Sequence, residues 1–507
     1  MNTIFTTIKF RILAINAILS LLINNLNATE VYKSKSTGMG PNIFKQYSMV
    51  RANSNDGFVY SGTTKAPSGQ DVIHILKTDD NFNTIWSYYY RESEDLYLNS
   101  TKICKTYDNS GYWICGYNQI GTLRYPFLMK IDNNGNVTDQ IRIQSPGVFL
   151  DVEPTSDDGC IAVGFKSNSI ELGIVSGGRR GLIVKWSSTL TIDWDRVFNE
   201  LTRPTGAEND LWYENAENVT VVGNDYFIMG TVSYYDDVNY FPPIRTALGY
   251  YCKLNSFGSL IYENTLKSEL VPYDAVFDSQ SSKIYFVGID DPRFVPSASI
   301  IGEIDVSSGI VNSIIPFEAA PGNPFPHIPV PYKIEMDGDE LHLFGYVREY
   351  FDGSTLYTDI MIPFRARINK VTMTEIDFYI NHTNAIHTNL YPLEDAGFLN
   401  AHDNVYNVFK FASLYVPEMG LIYKDILNNT QWGMIGYYNQ SNTPPRYDLH
   451  LMNSLVQGEC DDLDRNLEFT TPISEIAHDC LNVPALEQIV FLQINRFIMS
   501  LDSDECD

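Results

Sequence analysis

Three observations predict an all-β protein made of repeated units. A short run of strand-forming residues that ends in glycine recurs along the chain. Each copy is followed by a second apolar run and then by a turn rich in Asn, Asp, Ser and Gly. Aromatic content is high, with 33 Tyr and 27 Phe, which favours strands over helices.

The first copy is Gly57-Phe58-Val59-Tyr60-Ser61-Gly62, then Asp71-Val72-Ile73-His74-Ile75-Leu76-Lys77, a turn at 78–81, and Thr84-Ile85-Trp86-Ser87-Tyr88-Tyr89. Later copies open at Gly111 to Gly116, Gly159 to Gly164, Tyr226 to Gly230, Ile284 to Gly288 and Leu341 to Gly345. A seventh is degraded: Val405 to Phe411 lacks the closing glycine and is followed by Gly420 to Lys424 and Gln431 to Gly433. The repeated glycines stand at 62, 116, 164, 230, 288 and 345, so successive spacings by subtraction are 54, 48, 66, 58 and 57. Such a period marks a repeat architecture.

Each unit has room for a further strand ahead of its glycine run, as at Ile103 to Tyr107, which makes four strands per unit. Many runs are apolar at consecutive positions, as expected of strands covered on both faces. Four-stranded units stacked face to face predict an all-β, seven-bladed β-propeller. Its ring must close, because end units would otherwise expose apolar faces. Thr29 to Ser36 or residues 446–452 could supply the closing strand. Trp86, Trp194 and Trp432 are read as apolar anchors on these strands.

The termini differ from the repeats. Lys9 and Arg11 precede an apolar stretch, Ile12 to Ile23, and a polar segment ending at Ala28. That is the pattern of a secretory signal peptide, cleaved after Ala28. The expected organisation is 1–28 signal peptide, 29–457 propeller and 458–507 tail. The tail holds Cys460, Cys480 and Cys506, and Ala485 to Leu501 has helix-compatible apolar spacing, so a helix packed on the ring is expected there.

Asp158-Gly159-Cys160-Ile161-Ala162-Val163-Gly164-Phe165 and Leu128-Met129-Lys130-Ile131-Asp132-Asn133-Asn134-Gly135-Asn136 resemble the repeats of secreted bacterial β-propeller proteins. The resemblance spans roughly residues 43–440 and weakens in the sixth and seventh copies. It implies a fold and export, to the cell surface or medium (or the periplasm of a bacterium). It implies no activity, since propellers host many.

A net charge of -27 argues against nucleic acid or an anionic membrane as partner. After signal cleavage no membrane span is expected, since no later run is long and apolar enough. No metalloprotease, nucleophile-elbow, phosphate-loop or dinucleotide motif occurs, so no catalytic residue, metal or cofactor is assigned. His382 and His387 read as loop histidines, and Asp132 to Asn136 as turn chemistry in preference to a calcium loop.

Seven cysteines are few for 507 residues. Centring the turn on Asp108 to Gly111 sets Cys104 opposite Cys115, which predicts a disulfide across the hairpin. The pairing of Cys160, Cys252, Cys460, Cys480 and Cys506 stays open, and the odd count leaves at least one thiol free or joined to another chain. Candidate glycosylation sequons lie at Asn99, Asn136, Asn218, Asn381, Asn428 and Asn439.

The connection after each glycine run reads as long: 63–70, 118–126, 166–181, 232–247, 289–299 and 347–358. These stretches would crowd one face and hold Arg124, Arg179, Arg180, Arg245, Arg293 and Arg348, with aromatics such as Tyr235, Tyr240 and Phe351. Arginine with aromatics suits a protein or glycan surface. The leading expectation is an exported, non-catalytic binding or scaffolding protein. The alternatives are a carbohydrate-active enzyme, a glycoside hydrolase or lyase, using carboxylates on the same face, and a structural subunit of an extracellular assembly.

Overall fold

The computed structural model describes the strands named below, between Lys45 and Phe497, with turns at 52–54, 57, 79–80, 106–110, 121, 133–136, 144–146, 155–159, 187–191, 223–224, 255–259, 279–282, 306–310, 338–339 and 370–373. Residues 1–28, Arg293, Tyr240, Phe351, Asn381, Asn428, His382, Val405 to Phe411 and the three tail cysteines lie outside the described residues.

Six units of four antiparallel strands follow one another. Unit 1 is β1 (Lys45–Arg51), β2 (Phe58–Lys65), β3 (Asp71–Thr78) and β4 (Thr84–Arg91). Unit 2 is β5 (Tyr97–Lys105), β6 (Gly111–Ile120), β7 (Leu123–Asp132) and β8 (Val137–Ile143). Unit 3 is β9 (Gly147–Pro154), β10 (Cys160–Ser167), β13 (Arg179–Trp186) and β14 (Ile192–Phe198), with the small ribbon β11 (Ile170–Glu171) and β12 (Ile174–Val175) between β10 and β13. Unit 4 is β15 (Trp212–Val222), β16 (Asp225–Asp236), β17 (Ile244–Leu254) and β18 (Leu260–Ser268). Unit 5 is β19 (Leu270–Asp278), β20 (Lys283–Asp290), β21 (Ala298–Asp305) and β22 (Val311–Ala319). Unit 6 is β23 (His327–Asp337), β24 (Glu340–Glu349), β25 (Ile360–Asn369) and β26 (Thr374–Ile380), with β27 (Ile386–His387) beside β25. A three-stranded sheet follows: β28 (Gly420–Lys424), β29 (Thr430–Asn439) and β30 (Tyr447–Asn453).

The first strand of each unit touches the first strand of the next, from β1 to β5 and onward to β23, and β28 touches both β23 and β1. Five apolar clusters fill the spaces between successive units from 1 to 6. Trp113 and Trp186 are fully buried in the cluster between units 2 and 3. Trp86 and Trp194 are half-buried on the fourth strands β4 and β14, less enclosed than the sequence predicts, because a fourth strand faces solvent at the rim. The side chain of Trp432, on β29, is outside the described residues.

Turns between third and fourth strands dock on aromatic residues of the preceding unit. Gly135 in unit 2 has φ 76 and lies against the Tyr88 ring, and its carbonyl accepts a 2.8 Å hydrogen bond from Tyr90 Oη of unit 1. Gly309 of unit 5 accepts in the same way from Tyr251 Oη of unit 4, at 2.7 Å. Trp194 Nε1 of unit 3 donates to the Ser256 carbonyl of unit 4 at 2.9 Å. A glycine in a left-handed turn removes the Cβ that would strike the ring.

Two sequence expectations are corrected here. Ala485 to Leu501 contains two strands, β33 (Ile489–Phe491) and β34 (Asn495–Phe497), where a helix was expected. Short β-branched and aromatic runs meet the open edges of other sheets, and edge pairing overrides a weak helical period. Gly420–Lys424 is the first strand of its sheet, the one that meets β1 and β23, where the repeat pattern makes it the second run of the seventh copy, and so a third strand. The tail adds two further strands, β31 (Leu467–Phe469) and β32 (Asn482–Val483). The described residues contain no helix long and apolar enough to cross a membrane.

Candidate functional site

The repeated glycine has a structural cause. In units 2 to 6 the first strand carries one extra residue: Thr101, Leu150, Glu217, Tyr273 or Tyr332. Each bulge lies beside the repeat glycine of the second strand. A Cβ added at Gly116, Gly164, Gly230, Gly288 or Gly345 would come within 1.9–2.1 Å of a first-strand carbonyl oxygen. Only glycine allows that approach.

Directly after each bulge stands a polar residue: Lys102, Asp151, Asn218, Asp274 or Lys333. A bulge re-aims the side chain that follows it, and here these side chains meet across successive units. Lys102 Nζ lies 3.3 Å from Asp151. Asn218 Nδ2 donates to Asp151 Oδ2 at 3.3 Å and to Asp274 Oδ1 at 2.7 Å. Lys333 Nζ lies 3.4 Å from Asp274 Oδ2. The carboxylates also accept backbone amides of the following unit, Val219 N to Asp151 and Ile334 N to Asp274, both at 2.9 Å. Unit 1 uses Ser48 in this way, with Ile103 N donating to its Oγ at 3.2 Å. The chain of groups runs cation, carboxylate, amide, carboxylate, cation, and its charges cancel. Burial of such groups is tolerated when they are mutually paired. It joins five units and holds no group poised for chemistry.

The connection between second and third strands is the other candidate. In unit 2 only residues 121–122 separate β6 from β7, so the loop expected over 118–126 is mostly strand. Polar residues such as Asn118 and Gln119 disguised the continuation. At this end of the sheet the Arg124 guanidinium lies 4.8 Å from the centre of the Tyr117 ring. Arg142 lies 5.6 Å from that of Tyr125, and its Nη1 donates to Asn118 Oδ1 at 3.1 Å. Tyr117 and Arg142 were not singled out by sequence, because their strands meet Arg124 and Tyr125 only through the hairpin register. Arg180 is exposed and pairs across the sheet with Lys166, and Arg179 with Ser167. Tyr235 and Arg245 are backbone partners in the register of β16 and β17. Arg348 lies on β24 opposite Met361.

The predicted disulfide is corrected. The hairpin pairs Cys104 with Trp113 and Cys115 with Lys102. The turn, with Asn109 at φ 56, shifts the register by two in the sum of facing numbers. Cys104, Cys115, Cys160 and Cys252 are buried free thiols. Burial pushes the Cys252 thiol up to about 12, and raises Cys104, Cys115 and Cys160 further from their ordinary range.

The sequons divide by exposure. Asn136 is exposed. Asn99 is 1% and Asn218 6% exposed, so neither side chain can carry a glycan in this fold. Asn439 ends β29, with its side chain outside the described residues.

Asp132 holds a turn: its Oδ1 accepts Asn134 N and Asn136 N at 2.9 and 2.8 Å. No cluster able to hold a metal occurs among the described residues. Asp157 accepts Lys185 Nζ at 2.7 Å. Burial raises its pKa, but hydrogen bonds from Lys185 and Thr155 outweigh this and hold the carboxyl below its ordinary value.

No family model matches the chain, and no curated protein matches it. Among solved structures, polysaccharide lyase Uly1 is 10% identical, with 68% of this chain and 90% of that chain covered and a TM-score of 0.35. Prolyl oligopeptidase B from Galerina marginata is 10% identical, covering 83% of this chain and 57% of that one, with a TM-score of 0.33. Sqt1 of Chaetomium thermophilum, bound to the N-terminus of ribosomal protein L10, is 8% identical, covering 62% and 97%, with a TM-score of 0.26. Likeness at this level carries no activity to this chain.

Proposed function

We propose that this chain is a seven-unit β-propeller, exported after cleavage at Ala28, that acts as a non-catalytic binding or scaffolding protein. The contacts of β28 with both β23 and β1 support a closed ring of seven. The binding face is the one where second and third strands join. The observation that carries this reading is the pair of half-buried arginines in unit 2, Arg124 over Tyr117 and Arg142 over Tyr125. Each guanidinium is held over a ring, Arg142 also by its hydrogen bond to Asn118, and arginine beside aromatics suits recognition of a carboxylate, sulfate or amide of a partner. The stack also fixes the side chain beforehand, which lowers the entropy cost of binding. Arg180, Arg245 and Arg348 stand at the same end of their strands in other units.

The test is a protein and glycan array probed with the secreted chain, followed by Arg124→Glu with Arg142→Glu and, separately, Arg245→Glu with Arg348→Glu. Partner binding should weaken and lose salt dependence while the fold is kept. Unchanged binding in both double variants would end this reading.

A further inference from the structure

The gap between units 2 and 3 changes character along its length. Its interior is apolar: Cys115 and its register partner Leu128 on unit 2 meet Ala162, Leu182 and Val184 of unit 3. A strand returns its side chains to the same face every second residue. Two residues further along β6 and β7 that face carries Tyr117 opposite Pro126, and two further again Gln119 opposite Arg124. On unit 3, two residues beyond the pair Gly164 and Leu182, it carries Lys166 opposite Arg180. Neither register shifts over these residues. The two rows meet. A Cβ added at Gly147, which opens β9, would lie 3.2 Å from Pro126 Cγ of unit 2 and 3.2 Å from Lys166 Cα of unit 3. Arg124 and Lys166 are half-buried and Arg180 is exposed. The ribbon strand β11 of unit 3 also touches β7 of unit 2.

This cleft carries cations on both walls, in a chain of net charge -27. Residues 116–126, 142–148 and 164–182, which form this end of units 2 and 3, hold five basic residues (Arg124, Arg142, Lys166, Arg179 and Arg180) and one acid, Glu171. The whole chain has 35 basic residues and 62 acids, so the local balance is inverted. At the inner end of the same face Asn99, 1% exposed, is the register partner of Tyr117, and its Nδ2 finds no acceptor among the described residues. The floor thus has a donor to spare, which an oxyanion satisfies directly or through a water.

We propose that the cleft between units 2 and 3 binds an acidic glycan, a saccharide chain bearing sulfate or carboxylate groups. The proposal rests on the reading that this end of the units is the binding face, and it names the partner. A guanidinium matches the planar pair of oxygens of such groups, and a lysine adds a point charge. Two observations favour a glycan over an acidic protein. A protein partner buries an apolar centre, whereas exposed large apolar side chains such as Phe257, Ile310 and Val371 lie in turns at the opposite ends of the strands. The main chain at the cleft is also paired within its sheets as far as Ile120 with Leu123 and Ser167 with Arg179, so an extended peptide has no edge to lengthen there. An oxygen-rich, hydrated chain needs neither feature. The acidic remainder of the surface repels a long polyanion and confines the attraction to the cleft.

Calorimetric titration of the full chain tests this with four probes: a sulfated dextran oligosaccharide, an oligogalacturonate, an uncharged dextran of the same length and a polyglutamate peptide. At least one of the two acidic saccharides should bind, more weakly as salt is raised, and the uncharged dextran should not. Lys166→Gln combined with Arg180→Gln should weaken that binding about tenfold or more. Arg180→Gln alone, at an exposed side chain, should weaken it in the same direction and serves if the double variant does not fold. Binding of neither acidic saccharide overturns the proposal, as does equal binding of the uncharged dextran. Undiminished binding in the variants overturns it too. Tighter binding of polyglutamate than of either saccharide would assign the cleft to an acidic peptide instead. A protein partner found on the array and lost in Arg124→Glu with Arg142→Glu, beside acidic saccharides that do not bind, would end this proposal and leave the proposed binding function standing.

Discussion

Asp151 and Asp274, on the first strands of units 3 and 5, share the single side-chain amide of Asn218, which lies between them on unit 4 at 3.3 and 2.7 Å. Two buried carboxylates are thereby bridged across a whole unit. Lys102 and Lys333 balance them at the two ends.

Replacing the bridge by a third carboxylate, Asn218→Asp, should be strongly destabilising, by about 3 kcal/mol or more, because it leaves a buried charge without compensation. Asn218→Ala should cost about 1–3 kcal/mol, the penalty for unpaired acceptors. Equilibrium denaturation of the purified chain measures both. Equal stability of Asn218→Asp and wild type would mean that the polar chain is not formed.

Gly230→Ala places a Cβ 1.9 Å from the Asn215 carbonyl oxygen, so the bulge must move. The expected loss is about 2 kcal/mol or more, from forced overpacking. Gly223→Ala is the control: nothing lies within 4 Å, but φ is +64. It should cost only about 1 kcal/mol, the strain of a left-handed alanine. Thermal unfolding distinguishes the two, and a reversed order would reject the bulge.

His74 is buried, with Nε2 2.8 Å from Ser87 Oγ and its ring stacked on Tyr89 at 4.6 Å. Burial lowers its pKa to about 3, below the 6.5 of an exposed histidine. The folded state therefore binds this proton less readily than the unfolded one. The contribution to stability is full above pH 6.5 and is lost as pH falls from there towards 3. Relative to His74→Phe, wild type should lose about 1.4 kcal/mol per pH unit across that window. A constant difference from pH 7 to pH 4 would show that His74 is not held neutral.

The four described cysteines should resist alkylation in the folded chain at pH 9, because burial keeps their thiols protonated. All four should react once the chain is unfolded without reductant. Mass mapping that finds a Cys104–Cys115 bridge would refute the hairpin register.

Trp113→Ala should cost about 3–5 kcal/mol, as expected for a fully buried aromatic. Trp86→Ala, on a half-buried fourth strand, should cost clearly less. The two are compared by denaturant titration.

The sequence by itself determined the unit. Its signals are local: a glycine run, a neighbouring apolar run and an Asp- or Asn-headed turn lie within one hairpin or two. Asp132 closing its own turn through Asn134 and Asn136 needs nothing beyond five residues. Register was less legible. A turn conformation at Asn109 moved Cys104 from Cys115 to Trp113, and nothing in the composition of residues 104–115 announces it.

What only the tertiary structure decided is everything that joins one unit to another. Lys102, Asp151, Asn218, Asp274 and Lys333 stand 14, 13, 12, 14 and 12 residues ahead of a repeat glycine, by subtraction, a spacing that could have marked them. Taken singly, each is one polar residue in an apolar strand. Their partners lie 49 to 67 positions away, in another unit. The tail shows the same limit. Ile489-Val490-Phe491 has an apolar pattern that a helix or a strand could use, and the free edge of β8 selects the strand. Main-chain hydrogen bonding to an edge depends on where the edge is, and only the assembled sheets supply that position.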